Sequence, residues 1–384
     1  MLKNPFTPVF GGKPQFFFGR RDILARFDRA MIDPGSEDRA LFITGARGSG
    51  KTALLEQLSR AAQKKGRKVI DLSSENTVEI LVRNLIRHSE ETKTLNPQAS
   101  VSIFGTGASL GAGSVAKTTT YTTADLQMIF LDACAHIQGG LLITIDEVQK
   151  VSEADLTAIC DAFQMASRKG YDVMIAVAGL PFSHAQTIQY KGCTYLRRAA
   201  HDEIGLFSRE ETEESLREAF ARVSGMEVVD GALHDLVAAS YGHPYLMQLL
   251  GYHLVLICDS RSTSNIYVVK SEDVQDSIAG AVESYERRAL DPMLDELTVA
   301  ECDYLKAMSS AMGDRPMVKS AEIAEKMGKT SAGLSRQRDS LLRLGIIAAP
   351  AHGFVMFAIP LLRQYVLKDP PARRNIIRAL DWGV

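Results

Sequence analysis

The 384-residue chain carries a net charge of −2, so it is not a basic nucleic-acid-coating protein, and any nucleic-acid surface on it must be local. Its 46% hydrophobic and 23% charged residues are those of a globular protein with material for two or three domains rather than a disordered or fibrous chain. The richest apolar run, Leu249 to Cys258, is too short and broken for a membrane span; the N-terminus lacks a signal-peptide pattern, and five scattered cysteines without a C-x-x-C pair suggest free thiols in a reducing cytoplasm.

In chain order, the first strong signal is the apolar run Ala40–Thr44, followed by Gly45-Ala46-Arg47-Gly48-Ser49-Gly50-Lys51-Thr52 and the amphipathic stretch from Ala53 to Leu58. Strand, glycine loop and helix are the context that a G-x-x-x-x-G-K-[ST] phosphate loop requires. Glycines let successive N–H groups turn inward around phosphates, and the helix adds its free N–H groups and positive dipole end. Lys51 is expected on the β- and γ-phosphates and Thr52 on Mg²⁺, so the chain is expected to bind a nucleoside triphosphate.

A short strand at Arg67–Leu72 and a helix from Val78 to Glu91 follow. Residues 99–123 are glycine- and threonine-rich, and read as a loop or as a hairpin projecting toward a partner. A helix capped by Thr123 or Asp125 runs to His136. Next comes the buried strand Leu141–Ile145, ending in Asp146-Glu147 about 95 residues after Lys51. Paired acids at the end of such a strand suit two tasks, with Asp146 toward magnesium and Glu147 as the base that deprotonates the attacking water. A helix over Glu153–Lys169 and a strand over Tyr171–Ala178 complete an α/β, doubly wound parallel-sheet core with the nucleotide at the strands' carboxyl ends.

After Leu206 the pattern becomes helical. Ser208 caps a helix to Phe220 with Glu211 at capping-box spacing; helices over Ala232–Ser240 and Pro244–Cys258 meet at Tyr241-Gly242-His243, with Pro244 in the first turn of the second. A serine-rich linker, Asp259–Asn265, leads to a segment starting near Val268 and capped by Ser271. The end of the chain reads as helices at Thr298–Ala311, Ser320–Met327 and Ser331–Leu344, then two strands, Gly345–Ala349 and Phe354–Ala358. Three helices and a β-hairpin make a winged helix-turn-helix. Lys329, Ser335, Arg336, Gln337 and Arg338 are the right types for phosphates and base edges, whereas the wing carries no lysine or arginine; a DNA reader and a protein-interaction module both remain open. The expected divisions are a core over 1–205, a helical lid over 206–290 and the winged-helix unit with its tail over 291–384.

Taken together, the phosphate loop, the Asp146-Glu147 strand, Asn4-Pro5-Phe6 through Gly11, Phe18-Gly19-Arg20-Arg21, and Gly242-His243-Pro244 resemble the AAA+ ATPases. The likeness is to the group that joins origin-recognition and replication-initiator ATPases with the STAND signalling ATPases. The resemblance implies a P-loop (AAA+) core, a helical lid and a C-terminal winged helix, with ATP and Mg²⁺ as cofactors. It also implies Phe18, Gly19 and Arg20 beside the adenine, Pro244 near the base, and Arg197 or Arg198 as an arginine offered to a neighbour's γ-phosphate.

Two departures stand out. The sensor-1 position holds Ala178 and Gly179 in place of a polar side chain, and the lid lacks a sensor-2 arginine near Tyr245. Fewer charge-stabilising contacts at the γ-phosphate imply slow turnover. The expected activity is therefore a low-turnover ATP hydrolase acting as a nucleotide switch that controls DNA binding and/or subunit assembly, with ATP or ADP, double-stranded DNA and further copies of itself as partners and no membrane. The alternative is a signalling or defence switch whose winged helix binds protein.

Overall fold

The computed structural model describes residues 2–9, 15–73, 75–95, 121–262 and 266–368. The expectations for residues 99–120, for the last three residues of the serine-rich linker and for the C-terminal tail lie outside these.

The first unit comprises α1 (Arg21–Ala30), β1 (Ala40–Thr44), α2 (Lys51–Lys64), β2 (Lys68–Leu72), α3 (Thr77–Leu95), α4 (Thr123–His136), β3 (Leu141–Ile145), α5 (Glu153–Arg168), β4 (Val173–Gly179), α6 (Ser183–Thr187) and β5 (Ala200–Glu203). Its strands form one parallel sheet in the order β2-β3-β4-β1-β5. Every residue of β1, β3 and β4 is buried, because helices cover both faces, so these strands read as continuous apolar runs without alternation. One face packs β1, β3 and β4 against α3, α4 and α5 through Phe42, Leu81, Phe130 and Phe163; the other packs them against α1 and α2 through Phe27, Leu54 and Leu58. The strand order reverses beside β1, and this places the loop after β1 at the crevice where open α/β sheets bind ligands.

Several local expectations need correction. Thr122 caps α4, since its hydroxyl accepts from the Asp125 N–H while the Asp125 carboxylate accepts from the Thr122 N–H; Thr123 is thus the first helical residue. β5 was not expected. Its sequence, Ala-His-Asp-Glu, carries no apolar pattern because it is an edge strand held only by β1.

The lid contains α7 (Arg209–Phe220), β6 (Met226–Glu227), α8 (Asp230–Ser240), α9 (Pro244–Arg261), β7 (Tyr267–Val268) and α10 (Ser271–Tyr285), and β6 and β7 pair in parallel. The capping box of Ser208 and Glu211 and the first-turn Pro244 are as the residues foretold. Ser271 opens α10 instead of capping it, and Asp273 returns its carboxylate to the Lys270 N–H. A π turn over Glu286–Leu290 then leads into α11 (Asp291–Asp295).

The final unit holds α12 (Val299–Met312), β8 (Val318–Lys319), α13 (Ser320–Lys326), α14 (Ser335–Arg343), β9 (Ile347–Ala348), β10 (Phe354–Phe357) and α15 (Leu362–Leu367). The three strands pair antiparallel in the order β8-β10-β9, so the expected hairpin gains a third strand and completes the winged-helix arrangement. The third helix is shorter than expected, because Ala332–Leu334 around Gly333 form a separate 3-10 turn.

The cores do not respect the sequence divisions. Phe6, Phe16 and Phe18 from the N-terminal strap pack into one apolar cluster with the lid and the winged-helix unit. Phe6 sits where Gly251 leaves α9 bare, and any Cβ there would collide with its ring. All five cysteines are free thiols, and no described helix is long and apolar enough to cross a membrane.

Candidate nucleotide site

A cavity of about 640 Å³, a volume suited to a small ligand or cofactor, opens where the strap, the loop after β1 and the lid meet. Its phosphate end is the loop between β1 and α2. Gly48 and Gly50 hold φ of 78° and 92°, the left-handed region that favours glycine, and α2 begins at Lys51 with its N–H groups facing the cavity end. A Cβ on Gly45 would lie 2.5 Å from the Ile204 carbonyl, so the loop is seated against the end of β5.

Lys51 is 6% exposed, and its Nζ donates to the carbonyls of Gly45 and Ala46 at 2.9 and 2.8 Å. Burial lowers its pKa below the ordinary lysine value, while Glu147 and Asp146 act in the opposite direction. Both acids sit at the end of β3. Thr52 Oγ1 donates to Asp146 Oδ2 at 2.7 Å, and the Glu147 N–H donates to Asp146 Oδ1 at 2.9 Å. A hydroxyl and a carboxylate this close, beside a phosphate loop, form the sparse oxygen set that Mg²⁺ shares with water and phosphate, and so the residues fit that ion. Glu147, with φ 52°, turns its side chain toward the cavity that it helps to line.

The opposite end of the cavity is apolar. Phe16, Phe17, Phe18, Phe207, Pro244 and Tyr245 line it, with Gln248 beneath. Gln248 is buried and ties the strap down on both sides, accepting from the Thr7 N–H at 2.7 Å and donating to the Phe16 carbonyl at 3.1 Å. Arg20 lies 4.3 Å from the Phe207 ring centroid and donates to the Gly205 carbonyl; burial lowers its pKa, against the pull of Glu211 and Asp22. Gly19 allows this approach, because its positive φ places Phe207 where a Cβ would stand. Phe18, Arg20 and Pro244 thus line the cavity, whereas Gly19 only shapes it. Phe16, Phe207 and Gln248 were not foreseen. They are single residues outside any motif, brought in by tertiary packing.

Three segments from outside the core rest on the phosphate loop. The buried ring of His243 stands 2.5 Å from where a Gly48 Cβ would be, with Nε2 at 3.4 Å from the Arg47 carbonyl. Burial pulls the His243 pKa down to about 4, against the hydrogen bond to Arg47. Arg47 pairs with Glu296 of the segment before α12 at 2.8 Å. Gly345, just after α14, faces the Ala46 Cα and the Pro181 ring.

Other expected residues lie elsewhere. Arg197 and Arg198 precede β5, at the amino ends of the strands, and are separated from the phosphate loop by the length of β1, roughly 15 Å. Arg197 donates to the Tyr190 carbonyl at 3.0 Å, and Arg198 lines a second cavity with Arg39, Arg168 and Tyr195. In the last unit, Leu334 just before α14 and Gln337, Arg338 and Leu341 on it share one face, with the leucines buried and Gln337 and Arg338 half-buried. Lys329, Ser335 and Arg336 are exposed, but Gln337 has a buried Oε1 and Arg338 lies beside Tyr304 and Asp339. Two of the five expected DNA-contacting side chains therefore face their own domain.

Residues 17–175 match the family model described as an AAA ATPase domain, and residues 288–366 match one described as a domain of unknown function. A search of curated proteins found no match. Among solved structures, the chain is similar to the Aeropyrum pernix ORC2 protein in its ADPNP–ADP complexes, at 14% identity and a TM-score of 0.62, with 98% of each chain covered. The ADP form of the same protein aligns at 15% identity and a TM-score of 0.51, again over 98% of each chain. At such identities the likeness is one of fold, with a five-stranded parallel P-loop AAA+ core.

Proposed function

We propose that the protein binds ATP with Mg²⁺, hydrolyses it slowly, and uses the nucleotide state to control DNA binding and subunit assembly. The observation that carries this reading is that the lid and the winged-helix unit both rest on the phosphate loop, through His243 on Gly48, Glu296 on Arg47 and Gly345 beside Ala46. A loop that reshapes around phosphates is thereby coupled to both downstream units. The AAA ATPase domain match and the nucleotide complexes of the Aeropyrum pernix protein support the ligand.

Lys51 would give up its loop carbonyls for the β- and γ-phosphates, and α2 would direct its first N–H groups to them. Thr52 and Asp146 would hold magnesium, which when bound draws charge from the phosphate oxygens. Glu147 takes a proton from water as the water oxygen bonds the γ-phosphorus, and the bond from phosphorus to the ADP oxygen breaks. Neither Arg197 nor Arg198 can reach this site in its own chain. In this proposal one of them, Arg197 or Arg198, is offered to a neighbour's γ-phosphate, which would make turnover dependent on assembly.

The winged helix is read as a DNA module through the exposed Lys329, Ser335 and Arg336. A second reading, a switch whose winged helix contacts protein, is favoured by the inward turn of Gln337 and Arg338 and by the absence of lysine and arginine from the wing. Sizing the full chain with ADP or a non-hydrolysable ATP analogue, with and without duplex DNA, tests the proposal. ATP-dependent growth in size and salt-dependent DNA retention are expected. A chain whose size and DNA retention ignore the nucleotide would refute the switch, and assembly without DNA retention would favour the second reading.

A further inference from the structure

We propose that Gln149 is the positioning residue for Glu147 and occupies the space left by the missing side chain at Gly179; this rests on the ATPase reading above. The left-handed turn at Glu147 folds the chain into a single 3-10 turn, Val148–Lys150, with Val148 anchored in the core. That turn brings Gln149 back beneath the carboxylate. Gln149 Nε2 donates to Glu147 Oε2 at 2.6 Å, and Gln149 Oε1 accepts from the Leu180 N–H at 3.2 Å. The amide has only one workable orientation, because the backbone N–H can only donate and the carboxylate can only accept.

The bridge joins the end of β3 to the end of β4, which are adjacent parallel strands. A Cβ on Gly179 would lie 2.7 Å from Gln149 Oε1 and would collide with the Ser183 hydroxyl. A larger residue at 179 and the present seat of Gln149 therefore exclude each other. The glycine that looks like a lost contact is the condition for a different one, supplied from the β3 side.

The geometry also distinguishes the two oxygens of the carboxylate. Oε2 accepts from Gln149 and lies 3.9 Å from Lys150 Nζ, while Oε1 has no partner among the described residues. Oε1 is thus the atom left to take the water's proton, and Gln149 fixes its direction. A side chain held from behind in this way needs no reorganisation when the reaction begins.

Two variants of the full chain test this: Gln149→Met, which keeps length and loses both hydrogen bonds, and Gln149→Glu, which sets a second carboxylate against Glu147. Single-turnover hydrolysis and binding of a fluorescent ATP analogue are measured together, with thermal melts to verify folding. Gln149→Met is expected to lower the hydrolysis rate about ten- to hundredfold with nucleotide affinity within about twofold. Gln149→Glu still accepts from the Leu180 N–H but cannot donate to Glu147, and is expected to lose rate to a similar extent. A Gln149→Met rate within twofold of the parent, or a folded Gln149→Glu that keeps the parent rate, overturns the proposal. Glu147→Gln run in parallel separates the cases: undiminished hydrolysis there refutes the base assignment itself, whereas its loss beside an unaffected Gln149→Met refutes only the role of Gln149.

Discussion

The hydroxyl of Thr52 donates to Asp146 Oδ2 at 2.7 Å, joining the first turn of α2 to the end of β3 across 94 positions of sequence. Asp146 is held from its other oxygen by the Glu147 N–H, so one carboxylate organises both the Thr52 hydroxyl and the backbone of Glu147. Replacing Thr52 with Ala should lower magnesium-supported ATP affinity about tenfold or more and leave binding in excess chelator unchanged; Thr52→Ser should restore most of the loss. Nucleotide titrations with magnesium and with chelator measure both.

Glu147→Gln preserves size and removes the proposed base. Hydrolysis should fall by about 10²- to 10⁴-fold, the range for a positioned general base, while ATP binding persists. The variant should therefore accumulate in the ATP-bound assembly, and sizing at fixed ATP reads this directly. A variant that hydrolyses at the parent rate would transfer the base role to another group.

The parts of this site that were legible in the sequence are those set by local chemistry. The phosphate loop needs glycines next to one another, and the acids need a buried strand to end on, so both announce themselves within eight residues. The capping box at Ser208 is legible for the same reason, since donor and acceptor are three positions apart. Gln149 and Gln248 were invisible. A glutamine has no special spacing, and each gains its role from a backbone N–H that only the fold delivers, Leu180 for one and Thr7 for the other. β5 failed in the opposite sense: an edge strand of polar residues lacks the pattern by which strands are recognised.

The ion pair of Arg47 and Glu296 is partly exposed and should add less than about 1 kcal/mol to stability. Its larger effect is on the ligand, because Glu296 lines the cavity beside the loop that receives the phosphates. Glu296→Ala should strengthen ATP binding about threefold at low salt, and the gain should fade toward about 0.5 M salt as charges are screened. Equal affinities for parent and variant at low salt would show that Glu296 leaves the phosphate loop when nucleotide arrives.

Along α14, alternate arginines should behave differently. Arg336 faces solvent, and Arg336→Ala should weaken duplex binding and reduce its salt slope by about one counterion, with thermal stability unchanged. Arg338 lies against Tyr304 and Asp339, so Arg338→Ala should lower stability by roughly 1 kcal/mol and affect DNA only indirectly. Filter binding across a salt series, paired with thermal melts, separates the two effects.

His243 makes the docking of the lid on the phosphate loop sensitive to acid. Its folded pKa of about 4 lies below the ordinary value of 6.5, so between these values the unfolded chain binds the proton and the folded chain does not. Stability therefore rises with pH through this window: it is fully present above about 6.5 and lost as pH falls toward 4, by about 3 kcal/mol in all. The cause is burial, since the ring lies over Gly48 and its Nδ1 has no hydrogen-bond partner among the described residues. His243→Phe keeps the ring over Gly48 and removes the titration. Denaturant midpoints of parent and variant at about pH 7, 5.5 and 4.5 should converge on a nearly constant offset above pH 6.5 and move progressively in the variant's favour below it. A difference that stays flat across the series would mean that the imidazole finds a proton-compatible partner on the loop, with the Arg47 carbonyl, 3.4 Å from Nε2, the nearest acceptor to supply it.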